Sequence, residues 1–136
     1  MKTIENWSRQ TNVTYQGFSA DVVTIWKNAD ISVVPTRTRE GLPRAMLEAA
    51  VCARPLIVTD VPGCRHFVED GVQGLVVPPE DADALAQAIA KLATNPQLRM
   101  RMAKAARQRV LGKFTTTHVI NDVAKTYDRL LEPRRF

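Results

Sequence analysis

Residues 31–59 read ISVVPTRTREGLPRAMLEAAVCARPLIVT. The stretch opens on Ile31 to Val34, a β-branched run cut by Pro35, which is the form of a strand buried on both faces. Residues 36–42 are a polar loop containing Gly41. Pro43 lacks the N–H that a first helical residue does not need, and its ring presets a helical φ, so a helix is expected to begin there and run to about Cys52. Pro55 then precedes Leu56-Ile57-Val58-Thr59, a second apolar run of strand length. Strand, loop, helix and strand in succession make a βαβ unit, whose crossover is right-handed and whose strands are parallel.

The same alternation extends outward. Upstream, residues 13–18 suit a strand ending at Gly17, and Ser19 is placed to cap a helix carrying Val22, Ile25, Trp26 and Ala29 on one stripe. Downstream, Asp60 to Gly63 is a turn and residues 64–69 a short helix. Asp70-Gly71 and Gly74 bracket a tight turn, and Leu75 to Val77 is a last strand stopped by Pro78-Pro79. Helices follow. Asp81 caps one with Ala82, Leu85, Ile89 and Leu92 on a face. Asn95-Pro96 opens the next, with Leu98, Met102, Ala105 and Val110, ended by Gly112. A third carries Val119, Ile120, Val123, Tyr127, Leu130 and Leu131. The expected class is α/β: a parallel sheet of about four strands flanked by helices, with further helices at the C-terminal end. Ligands in such sheets sit at the carboxyl ends of the strands, which singles out loops 35–42, 60–63 and 77–81.

The chain has 136 residues, 45% of them apolar and 24% charged, a composition that excludes disordered, collagenous and low-complexity classes. A net charge of +5 permits an anionic partner without selecting one. Cys52 and Cys64 lack disulfide-scaffold or metal-ligand spacing, and His66 and His118 stand alone, so no metal is expected. No apolar run approaches the roughly 20 residues that cross a bilayer, and the first twenty residues lack the apolar core of a signal peptide. A cytoplasmic location fits best.

The loop and helix from Thr36 to Ala50 are the informative stretch. Gly41 lets backbone approach a ligand closely. The helix beginning at Pro43 offers free N–H groups and the positive end of its dipole, an anion site to which Arg37, Arg39 and Arg44 add charge. Glu48 lies in an otherwise apolar run from Ala45 to Ala53, so it is expected to be buried and to need a partner. Two readings stay open. A vicinal diol could satisfy the carboxylate, which accepts two hydroxyl protons at once. Alternatively Glu48 pairs with Arg44 one turn back, and Glu40 is a solvated loop charge. Glu40 and Glu48 are eight residues apart, a little over two helical turns.

Glu40-Gly-Leu-Pro-Arg-Ala-Met-Leu-Glu48 resembles the Glu-x7-Glu motif of retaining nucleotide-sugar glycosyltransferases of group 1, also called family 4. Arg54 to Arg65 and Glu69 to Asp81 resemble the segments that follow it there, and the likeness spans about residues 13–114. Thr36 to Gly63 looks most like enzymes that extend lipid-linked or surface polysaccharides. The resemblance implies the GT-B fold, in which a C-terminal Rossmann-like domain binds the donor and an N-terminal one the acceptor. It implies that Glu40 contacts donor-sugar hydroxyls near the reacting carbon and is the catalytic candidate. Glu48 would hold the ribose hydroxyls. Gly41, Leu42, Pro43 and Arg44 would border the diphosphate, with Leu42 and Arg44 as the backbone donors, and Val61 to Gly63 would wall the cleft. The donor is expected to be a UDP- or GDP-linked sugar, the acceptor a saccharide or lipid-linked hydroxyl, and no cofactor is implied.

The resemblance also implies parts that this sequence does not contain: the acceptor domain and the first two strands of the donor domain. Residues 1–136 are therefore expected to be a single incomplete donor domain, inactive alone. In the strand order 3-2-1-4-5-6, residues 13–18 would be strand 3 and the later strands 4, 5 and 6, leaving an inner edge open. Strand 3 would then pair with strand 4 or with another chain, and a homo-oligomer is expected. Helices of this family end there on a left-handed glycine, where this chain has Ala53. No acidic residue lies between Asp83 and Asp122, while Lys91, Arg99, Arg101, Lys104, Arg107, Arg109 and Lys113 are all basic. Such a stretch reads as a solvated outer face or as a surface for anionic lipid, the latter joined by Arg134 and Arg135; nucleic acid is not expected as a partner. Trp26 is expected in the core, and Trp7 against a part this sequence lacks.

Overall fold

The computed structural model describes residues 6–7, 9–10, 12–38 and 41–131. Three parallel strands form its sheet: β1 (Ser32–Val34), β2 (Leu56–Thr59) and β3 (Gly74–Val77), in that order. Val33 stands beside Ile57 and Ile57 beside Leu75. The helices are α1 (Val22–Lys27), α2 (Arg44–Val51), α3 (Pro62–Phe67), α4 (Ala82–Ala93), α5 (Pro96–Lys113) and α6 (Thr116–Leu131).

Period-two alternation sends the sheet's side chains into two cores. Leu56 and Val58 pack with Met46, Ala49 and Ala50 of α2 and Phe67 of α3. Ile57, Leu75 and Val77 pack with Ala88 and Leu92 of α4. Helix α5 belongs to both, giving Met102 to the second and Ala106 and Val110 to the first.

The edges of the sheet are treated differently. Beyond β3, the Asp70 carboxylate accepts from the Val76 N–H at 2.8 Å, closing that side. Beyond β1, no described residue continues the sheet. Residues 13–18, expected as a strand, form none, and Phe18 is 96% exposed. Among the described residues no strand lies beside residues 13–18 to offer them a ladder. The expectation of about four strands is corrected to three among the described residues.

Local signals were shifted by a residue or two. Asp21, not Ser19, caps α1: its carboxylate accepts from the Thr24 N–H at 3.0 Å, and these bonds hold its pKa below the usual value. Pro43 is the N-cap of α2 rather than its first residue, and Pro62 starts α3 earlier than residue 64. Along α4, Ala88 is buried and Ile89 is 38% exposed, so the buried stripe is rotated from the expected one. Gly112 does not end α5, which continues to Lys113. Trp26 is half-buried against the first core, whereas Trp7 is exposed.

The basic run on α5 has a use that neither sequence reading named. Arg99 Nη1 donates to the carbonyls of Leu92 and Ala93, at the end of α4. Arg107 donates to Val51 O, the last residue of α2. Arg109 Nη2 donates to His66 O in α3 at 3.1 Å, and its guanidinium stands over the Phe67 ring. Helix α5 thus lies where α2, α3 and α4 end and supplies cations to their terminal carbonyls. Helix α6 is different: none of its described residues is buried, and Ile120, Val123, Tyr127 and Leu130 are 50–71% exposed.

Candidate functional site

The helices that end against α5 begin at the opposite side of the sheet, beside the carboxyl ends of the strands. There the three loops expected to matter come together. Thr59, the last residue of β2, donates its hydroxyl to Thr36 O at 2.6 Å. Arg37 reaches Glu80 at 3.5 Å, linking the loop after β1 to the loop after β3. Between them is a recess of about 230 Å³ lined by Arg37, Thr59, Val77, Glu80 and Asp81 among others. Glu80 holds a left-handed φ of 62°, an unfavoured conformation for a side-chain-bearing residue, immediately before the cap of α4.

Helix α2 starts just past this edge. Its N-cap is Pro43, which makes no side-chain capping bond, and its first turn carries no acidic residue. The first N–H groups of a helix have no partner within the helix, so this end presents donors and partial positive charge. Leu42 is 37% exposed beside it, and Pro43 is buried, anchoring the turn. A Cβ built on Gly41 would meet nothing within 4 Å, so no neighbouring atom demands glycine there. Pro62 and Gly63, expected as part of a turn walling the site, instead open α3.

Glu48 lies one turn along α2 from Arg44. Its Oε1 accepts from Arg44 Nε at 2.7 Å, the pairing that sequence spacing allowed. The burial expected around it is partial: its side chain keeps 25% exposure, while Arg44 keeps 91%. Met46, Ala49 and Ala50 take the buried face of α2, and Glu48 lies at its margin. There it borders a groove of about 300 Å³ with Trp26, Val22 and Leu47. Glu40 and Arg39, the remaining charged candidates of this loop, lie outside the described residues.

The Glu48–Arg44 pair and the uncapped start of α2 therefore stand along one helix, which Met46, Ala49 and Ala50 fix to the core. Sequence reasoning missed two connections that build this region, Thr59 to Thr36 and Arg37 to Glu80. Thr59 had a faint signal, as the one polar residue in its strand run. Among the described residues, no three His, Cys, Asp or Glu side chains gather as a metal site, and no helix is long and apolar enough to cross a membrane.

Comparison with known proteins agrees with this geometry. The N,N'-diacetylbacillosaminyl-diphospho-undecaprenol alpha-1,3-N-acetylgalactosaminyltransferase of Campylobacter jejuni is 32% identical over 120 residues, covering 88% of this chain and 31% of its own length. The capsular polysaccharide biosynthesis glycosyltransferase CapM of Staphylococcus aureus is 29% identical, covering 92% of this chain and 33% of its own. The chain thus spans about a third of the length of these relatives. Anabaena HepE, solved with UDP-glucose, superposes with a TM-score of 0.85 at 23% identity over 94% of this chain and 35% of that one, which establishes a shared fold. The pattern that defines the glycosyl transferases group 1 matches residues 2–109, and the chain belongs to that family.

Proposed function

We propose that this chain is the donor-binding part of a retaining glycosyltransferase, which moves a hexosyl unit from a UDP- or GDP-linked sugar to a saccharide or lipid-linked hydroxyl. The observation that carries the reading is Glu48: a half-buried carboxylate on the helix whose uncapped start faces the carboxyl end of β1. In this assignment the ribose diol donates to Glu48. The diphosphate lies against the start of α2, with the Arg44 N–H as donor and Gly41, Leu42 and Pro43 as its border. Glu40 contacts the transferred sugar near its reacting carbon.

The chemistry follows from that placement. The bond between the sugar's C1 and the diphosphate oxygen breaks, and positive charge develops on the sugar ring. The acceptor oxygen bonds to C1 on the face the diphosphate leaves and passes its proton to the departing diphosphate oxygen. Oriented N–H groups and nearby arginines stabilise the negative charge gathering on the diphosphate, the largest electrostatic change of the step. No cofactor is required by this scheme. The acceptor would be held by a domain that this sequence does not supply, so the chain alone is expected to bind donor without transferring it. A non-catalytic binding module on the same scaffold is the second reading, and it predicts no response to nucleotide.

The reading extends to a cytoplasmic location and to self-association through the open edge of β1, with contact to a membrane surface as a further expectation. Light scattering at micromolar concentration tests the association; a strictly monomeric chain counts against it. The donor site is tested by titrating the chain with UDP and with GDP while following its amide resonances. One of the two is expected to shift residues 41–48 at millimolar concentration, and Glu48→Ala is expected to weaken that response. Silence toward both nucleotides overturns the reading.

A further inference from the structure

The Arg44–Glu48 pair is placed against the electrostatics of its own helix. A helix favours acids in its first turn and bases in its last. Helix α2 has the reverse: Arg44 is its first residue, no acid stands in the first turn and no base in the last. In pairs four residues apart, acid before base is the better order, and here the base comes first. The pair therefore does little for the helix. What it does is occupy two groups, each suited to a different part of one ligand. A carboxylate can accept both protons of a vicinal diol. A guanidinium presents a planar fork that matches phosphate oxygens. Arg44 is 91% exposed, so its side chain is free to turn toward the start of the helix, where an anion is favoured.

We propose that Arg44 is an exchangeable latch on Glu48, an inference that rests on the donor-site reading above and adds regulation by occupancy to it. In the structure the guanidinium holds the carboxylate at 2.7 Å. When a nucleoside diphosphate enters, the ribose diol takes over Glu48, and the released Arg44 turns to the diphosphate. The two halves of the ligand then cooperate. A nucleoside must displace the guanidinium and gives it nothing in return, whereas a nucleoside diphosphate displaces it and supplies its new partner. Discrimination against bare nucleosides is thereby built into α2, separately from any contact to the base.

The exchange makes a prediction of opposite sign for two ligands. The full chain is titrated with uridine and UDP, and with guanosine and GDP, in wild type, Arg44→Ala and Arg44→Gln, reading dissociation constants from amide shifts. The two variants are expected to bind the nucleoside about twofold more tightly, the size of a lost pair of this class. They are expected to bind the diphosphate about tenfold more weakly, the loss of one charge-assisted phosphate contact. A residue that merely supports the helix would move both affinities in the same direction, and that result, or no change in either, overturns the latch. If wild type binds the diphosphate and the signs do not oppose, only the latch fails. If wild type binds none of the four ligands, the donor-site reading fails and the latch with it.

Discussion

The hydroxyl of Thr59 donates to the carbonyl of Thr36 at 2.6 Å, joining the end of β2 to the loop that leaves β1. The two residues are 23 apart in sequence, and Thr59 is 4% exposed. A buried carbonyl stripped of its donor carries most of a desolvation penalty. Thr59→Val keeps the shape, removes the donor, and is expected to cost about 1 kcal/mol in urea denaturation. Because the bond anchors the loop toward Gly41, amide exchange at residues 36–38 is expected to quicken more than in β2 itself. Unchanged exchange there would show that the loop is held by other means.

Ala53 ends α2 in the left-handed region at φ 54°. The bonds around it form a Schellman motif, with Ala53 N–H to Ala50 O at 3.0 Å and Arg54 N–H to Ala49 O at 2.9 Å. A side chain there costs about 1–2 kcal/mol, which the motif sustains because both carbonyls need partners. Ala53→Gly removes that strain but also frees the unfolded chain, returning roughly 0.4–1 kcal/mol. The net expectation is a gain of about 0.5–1 kcal/mol in denaturant midpoint analysis, with no change in m-value. A loss of stability would mean that the methyl's packing outweighs its strain.

The left-handed terminus at Ala53 was legible only through the family resemblance, in which a glycine stands at that position. The three parallel strands were legible in the residues themselves, because β-branched runs bounded by proline have few alternatives; the core face of α2 was not, since its apolar run from Ala45 to Ala53 gave no stripe, and Val51 proves 40% exposed. What was not legible depended on contacts distant in sequence. Residues 13–18 have the composition of a strand, but a strand exists only where a neighbour offers a ladder. Arg44 and Glu48 were seen as a spacing, and only the structure could set one carboxylate at 25% exposure with the guanidinium upon it. The arginines of α5 looked alike in sequence, and their separate destinations on three helices follow from where those helices end.

Gly74 was read as the close of a tight turn, yet its φ is not left-handed. A Cβ there would meet Leu56 O at 2.0 Å, and that oxygen is backbone in the neighbouring strand. No rotamer change relieves such a clash; β2 and β3 would have to separate where Leu56 pairs with Gly74. Gly74→Ala is therefore expected to destabilise by at least ~3 kcal/mol, beyond ordinary overpacking. Gly71 supplies the control. Its φ is 79° with open space around it, so Gly71→Ala is expected to cost only about 1 kcal/mol of backbone strain. Thermal unfolding of the two variants side by side checks the ranking, and equal effects would contradict it.

Arg99, Arg107 and Arg109 cap helices, whereas Arg101 and Lys104 are exposed on the same helix with no such carbonyl partners among the bonds described. The first group should therefore matter to stability and the second should not. A guanidinium on exposed helix-terminal carbonyls is worth about 1 kcal/mol, combining a modest hydrogen bond with the dipole. Arg99→Ala and Arg107→Ala are each expected to lose that amount, and Arg109→Ala somewhat more, since it also leaves the Phe67 ring. Arg101→Ala and Lys104→Ala are expected to stay within about 0.5 kcal/mol of wild type. The lysine variants Arg99→Lys and Arg107→Lys separate charge from geometry. Arg99 reaches the Leu92 and Ala93 carbonyls through Nη1 alone, and a lysine ammonium, with three donors on one nitrogen, keeps both the cation and the capacity for that pair of bonds. Arg99→Lys and Arg107→Lys are therefore both expected to recover part of the stability that the alanine variants lose. If all five alanine variants melt alike, the basic run of α5 is a solvated surface and the capping bonds carry no net stability.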